Sequence, residues 1–365
     1  CSFINFTGHI GLVVSAIKPM FDFVALIANC RFYSIIANGP GAILNPSINL
    51  FSNITVKEFF IKGGKINPVY KIIRNHFGNI SASSGTIFYW ETLMKGTCLE
   101  LEGNHFTFID CSGNGGLIFA QYIFERYSVP MASRSEFHVI SRNDVVIGTS
   151  GTQNGGIIYA NGRDAMFKIT FINVTLSGIK CSGDGGIAYF FSPVQAKEVL
   201  LKYLDALLET DVLQQQIQIG SISIANSDLR DITVENGGII YESTPNNTLN
   251  ISFDSNTLEN VSARARGGAF YLLKPVVSIS GNIFRDVTAA VAGPIVYSVS
   301  ELDLTNFTHS NTIIPALKEF ASFAPTNLLV RFIPLNGGSS IMLQYEDTPP
   351  YNPIVPNLTS YSLSQ

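Results

Sequence analysis

Nine asparagines stand two residues before a serine or threonine with a residue other than proline between: Asn5, Asn53, Asn79, Asn173, Asn246, Asn250, Asn260, Asn306 and Asn357. In a secreted eukaryotic chain that spacing is the acceptor for an N-linked glycan, so these are the glycosylation candidates. Other chemistry is thin. His9, His138 and His309 have no Cys or acid at ligand spacing, and the five cysteines contain no Cys-x-x-Cys pair, so neither a metal nor any other cofactor is expected. Gly8-His9-Ile10-Gly11 comes nearest to the Gly-His-Gly of a polysaccharide hydrolase but lacks the paired acids, and Asp144 and Asp184 stand alone. No Ser/His/Asp signature or phosphate loop occurs. The chain is expected not to be an enzyme, with no catalytic residue to name.

The elements that carry these asparagines repeat. A large apolar residue stands two before an Asn or Asp, a hydroxyl residue follows, and Gly-Gly or its equivalent leads into apolar and aromatic residues. The clearest units open at Phe77-Gly-Asn79, Phe108-Ile-Asp110, Phe171-Ile-Asn173, Leu229-Arg-Asp231, Leu258-Glu-Asn260 and Phe284-Arg-Asp286. Partial copies lie at Phe3 to Thr7, Ile27 to Arg31, Phe51 to Gly64, Gly155 to Tyr159 and Leu304 to Thr308. A period of roughly 24 to 31 residues marks a repeat architecture. His76 and His105 each fall in Asn-His-Phe, a repeated place that suits a core or strand edge better than catalysis.

Runs such as Phe167-Lys-Ile-Thr-Phe171 and Val277-Ser-Ile279-Ser alternate with period two and read as strands. Gly-Gly supplies a sharp corner, and a second strand follows. The fold class expected is all-β, a right-handed parallel β-helix spanning residues 1–345. Residues 1–70 are expected to hold irregular turns and a cap. One amphipathic helix near 193–214 is expected within an insertion at 192–216. An irregular insertion is expected at 310–328, with a weaker helix over Ala316–Phe323, and residues 346–365 read as an extended tail rich in Pro, Asn and Ser.

The strand after Gly-Gly carries Tyr89, Phe119, Tyr159, Tyr189, Tyr241, Tyr271 and Tyr297 next to other apolar residues, so both faces are apolar. Such a strand is covered on both sides. The inserted helix is one cover; assembly against a second copy or another surface protein is another, because a large apolar patch marks an interaction site. Stacking of sugars on the rings is a third reading. The asparagines also carry two readings. Inward, they would stack into a hydrogen-bonded ladder; outward, they would carry glycans. Asp110, Asp231 and Asp286 in the same place favour the outward position, since a lone buried charge is costly.

The chain has 365 residues, 46% hydrophobic and 14% charged, with 31 glycines, which suits a β-solenoid. A formal net charge of -4 argues against nucleic acid as a partner, and no apolar run is long enough to span a membrane. Cys111 and Cys181 recur in Cys-Ser-Gly-Asn/Asp-Gly-Gly two turns apart, too far for a disulfide, and are expected as buried thiols. The paired Phe-x-Asn and Gly-Gly-Ala-Ile motifs resemble the repeats of chlamydial polymorphic outer membrane proteins and of large ciliate surface proteins with a pectin-lyase-like fold. Ile27-Ala-Asn29-Cys30 and Phe108-Ile-Asp110-Cys111-Ser112 come nearest. The resemblance implies a parallel β-helix at a cell surface. The bacterial family ends in a membrane barrel, and no barrel strands with aromatic girdles appear here. The function expected is a non-enzymatic extracellular structural or adhesive module, a glycosylated, self-associating subunit or segment of a surface filament or coat. The alternative is a carbohydrate-binding or carbohydrate-active β-helix domain of a larger receptor.

Overall fold

The computed structural model describes residues 1–8, 14–15, 24–45, 69–92, 97–122, 135–161, 165–191, 217–243, 247–273, 275–299, 307–317, 319–323, 331–334 and 341–344. Nearly all are in strands or the corners between them. Three parallel sheets run the length of the stack, a parallel β-solenoid. The first has ten strands, from Ser2–Gly8 through His76–Ala82 and His105–Cys111 to Thr312–Ile314. The second also has ten, from Val14–Ser15 to Ala321–Phe323, and holds the strands after Gly-Gly. The third has eight, from Val24–Ala28 to Pro275–Ser280. Each strand pairs with its equivalent one turn on, so like residues lie over like. Phe3, Phe32, Phe77 and Phe106 stack inside with ring centroids 4.9, 4.8 and 4.9 Å apart. Val146, Leu176, Leu229, Leu258 and Phe284 continue that buried column.

Gly-Gly serves two different needs. The first glycine turns the chain in the left-handed region, as at Gly237 with φ 60°. The second admits the next turn: a Cβ on Gly238 would be driven into the Gly268 carbonyl and the Val261 side chain. Left-handed residues also form a column inside the first sheet. Asn5, Ser34, Asn79, Phe108, Asp231, Asn260 and Asp286 have φ between 51 and 58°, and Gly148 and Gly178 occupy the same place. Asn, Asp and Gly tolerate this conformation best, which is the physical reason the repeat keeps an Asn or Asp there.

An inward ladder of polar side chains stitches the corner between the third and first sheets. The Asn75 N–H and Nδ2 donate to Asn104 Oδ1 at 3.0 and 3.1 Å, and those of Asn104 donate to Asp144 Oδ1 at 2.7 and 2.9 Å. Val174 interrupts the column, and Ser227, Asn256, Asn282 and Asn311 resume it. The backbone N–H groups of Asn75, Asn104, Val174, Ser227, Asn256 and Asn282 thereby find acceptors one turn on.

Several expectations need correction. Four units align as read, but Phe108-Ile-Asp110 is displaced by two residues. Phe106 pairs with Phe77 and fills the core, while Phe108 sits in the left-handed column, 69% exposed. A shift of two keeps the same alternation, so the pattern could not distinguish them. Phe171 lies in the third sheet, on Ala165–Ile172, and Asn173 turns the corner after it. The inward ladder exists but is built from Asn75, Asn104, Asn256, Asn282 and Asn311, not from the sequon asparagines. A helix over Ala316–Phe323 is not found: Ala321–Phe323 is a strand of the second sheet, and the described helix is one turn at Phe307–Ser310. Thr312–Ile314 likewise extends the first sheet, so much of 310–328 continues the stack. Before residue 70, Ser2–Gly8 and Arg31–Ala37 already pair in the common register. The expected helix and insertion at 192–216 and the tail at 346–365 lie outside the described residues. Arg331–Pro334 and Ile341–Gln344 form a separate antiparallel pair.

Candidate interaction surfaces

The second sheet presents one outward residue per turn from the strand after each glycine corner. Tyr89, Phe119, Tyr159, Tyr189, Tyr241, Tyr271 and Tyr297 stack as one unbroken file, with centroids 4.7, 5.1, 5.2, 5.1, 4.6 and 5.1 Å apart. Parallel pairing forces this, since in-register copies lie about 4.8 Å apart. Phe119 and Tyr159 are buried and the other five half-buried. The Arg266 guanidinium lies 5.3 Å from the Tyr297 centroid. Interior ring faces are covered by their neighbours, so what the file offers outward is ring edges and hydroxyls. Burial pushes the Tyr189 hydroxyl up to about 12 and raises Tyr159 and Tyr271, which keeps all three as neutral donors near pH 7.

The first sheet presents the sequons. Asn5, Asn79 and Asn260 occupy its left-handed column and are exposed. Asn173 is exposed at the neighbouring corner, where its Nδ2 donates to Asn143 Oδ1 at 2.7 Å. Asn250 lies half-buried in Asn247–Asp254 of the third sheet. Asn53, Asn246, Asn306 and Asn357 lie outside the described residues. Among the described sequons none lies on the tyrosine sheet. Asp110, Asp231 and Asp286 are exposed, as the cost of burying a lone charge requires.

The groups that could do other chemistry serve the scaffold. Asp144 is 1% exposed and accepts from Asn104 and, at 2.6 Å, from the Ser141 hydroxyl; burial raises its pKa to about 6 although these bonds oppose the rise. Asp184 belongs to a second, half-buried ladder: it accepts from Asn236 Nδ2 at 2.9 Å, and its N–H donates to Asn154. His76 and His105 stack at the strand edge with centroids 5.4 Å apart. Cys111 and Cys181 are buried free thiols, and burial pushes Cys181 up to about 12, far from a reactive thiolate. Cys1 and Cys30 form a disulfide that the sequence pattern did not disclose, because the cysteines meet only when adjacent turns stack. Among the described residues no three His, Cys, Asp or Glu side chains group as metal ligands. No described helix is long and apolar enough to cross a membrane. In comparisons with family models, curated proteins and solved structures, nothing matches this chain.

Proposed function

We propose that this chain is a structural or adhesive module of the cell exterior, a stiff N-glycosylated rod that self-associates into a filament or coat. The observation that carries the reading is the uninterrupted stacking of like on like through ten turns of the first two sheets. Ten strands at about 4.8 Å make a rod of roughly 43 Å. The coil is taken as right-handed by the rule for parallel crossovers. Two further observations support the exterior. The Cys1–Cys30 disulfide belongs to an oxidising compartment, and four sequon asparagines stand exposed in solvent. The half-buried tyrosine file, on a sheet whose described strands carry no sequon, is the face assigned to a second copy. Covered ring faces make it poorly suited to stacking sugars, which disfavours a carbohydrate site there.

Sedimentation and particle imaging over a hundredfold concentration range test this reading. Association into longer or paired rods is expected, reduced by Tyr189→Ser with Tyr241→Ser. Single short rods at every concentration refute self-association.

A further inference from the structure

We infer that Asn79 carries an N-linked glycan whose first N-acetylglucosamine packs against the exposed rings of Tyr33 and Phe108. The inference rests on the proposed extracellular reading and names the contact that reading lacks. It begins with an anomaly at Phe108. Its φ of 54° places a bulky side chain in the left-handed region, at a position held elsewhere by Asn, Ser, Asp or Gly. The ring is 69% exposed, so burial does not offset the strain. Backbone strain without packing in return points to a role for the side chain itself.

The surroundings say what that role is. Asn79 stands between Ser34 and Phe108 in the same column, one turn of about 4.8 Å from each. Tyr33, 53% exposed, lays its ring edge into the space a Cβ on Gly78 would fill. The residue before Asn79 is thus a glycine roofed by an aromatic ring, and the residue one turn beyond Asn79 is a second ring. The Asn79 Nδ2 donates to Ser34 Oγ at 3.3 Å. An amide keeps one N–H after glycosylation, and where that N–H is the one facing Ser34 the bond is retained and sets the sugar between the rings. The C–H face of a pyranose packs on aromatic rings, whose large apolar surface is the main term.

Asn260 and Asn173 lack this setting. Asn260 donates to Asp231 at 2.7 Å and has Asp286 on its other side, and Asn173 lies beside Asn143. The tyrosine file cannot substitute, because its ring faces are already occupied.

The test is the full chain secreted from a eukaryotic host, with glycopeptide masses and thermal midpoints before and after enzymatic removal of the glycans. Removal converts Asn79 to Asp, a residue this column already holds at 231 and 286, so the backbone is not perturbed. Asn79 is expected to be occupied. Deglycosylation is expected to lower the wild-type midpoint by about 2 °C, and by less than half as much in Phe108→Asn or Asn79→Gln. Tyr33→Ser provides the same comparison if Phe108→Asn is not secreted. Equal shifts in the wild type and the ring variants overturn the contact, as does a bare Asn79 beside occupied Asn173 and Asn260. If all three are bare, the glycoprotein reading falls together with it.

Discussion

Replacing Asp144 by Asn is expected to stabilise the rod at neutral pH and to leave it nearly unchanged in acid. Asp144 occupies a ladder place that Asn75, Asn104, Asn256, Asn282 and Asn311 fill elsewhere. Burial raises its pKa from 3.8 to about 6 in the folded chain. A group whose folded pKa is raised favours folding below its unfolded pKa, and that contribution is lost as pH rises through the folded value. A shift of about two units corresponds to about 3 kcal/mol by pH 7.5. The Asn variant does not titrate and keeps the acceptor for the Asn104 N–H and Nδ2. Its own amide can donate to the Leu101 carbonyl, as Asn104 does to Ile72 at 2.8 Å, since Ile72 and Leu101 are register partners. Urea unfolding of both proteins at pH 4 and pH 7.5 measures the effect. The gain should approach 3 kcal/mol at the higher pH and shrink towards zero at the lower. A gain independent of pH, or a variant less stable at pH 7.5, would refute the assignment of Asp144 as a buried carboxylate held at a cost.

Other expectations concern the backbone and the core. Asn256→Ala leaves the Ser227 N–H without its acceptor and removes the side-chain bond to the Ile224 carbonyl, and should cost about 2 kcal/mol by chemical denaturation. Gly237→Ala meets a left-handed φ and would set its Cβ 2.5 Å from the Ile240 carbonyl oxygen, and Gly238→Ala meets a carbonyl of the next turn, so each should cost more than the about 1–2 kcal/mol of φ strain alone or prevent folding, as read from soluble yield. Phe106→Ala should cost about 4 kcal/mol through the cavity it leaves, while Phe108→Asn should stabilise the glycan-free chain by about 1 kcal/mol. Opposite signs at two phenylalanines two residues apart would verify the register. Reduction of the Cys1–Cys30 disulfide should raise amide exchange in Ser2–Gly8 and leave Thr257–Ala263 unaffected.

The repeat made the solenoid legible because each unit must pair with its own copy. Period-two runs, glycine corners and recurring tyrosines are all local, and stacking turns each into a column without further information. The outward place of Asn79 and Asn260 was also readable, since Asp231 and Asp286 share their column and a lone carboxylate resists burial. Composition and spacing thus determined the class of fold, the aromatic file and the outward place of Asn79 and Asn260.

Tertiary structure decided the rest, because these features depend on which residues of successive turns meet. Alternation is unchanged by a slip of two, so only pairing separates buried Phe106 from exposed Phe108. A left-handed φ leaves no mark in a hydrophobic pattern, so the need for Asn, Asp or Gly at one column appeared only with the backbone. The same is true of the inward ladder through Asn75 and Asn104, whose acceptors lie a full turn away in sequence, and of the cysteine pair closed by stacking. One turn says what a residue is; the turn above it says what that residue does.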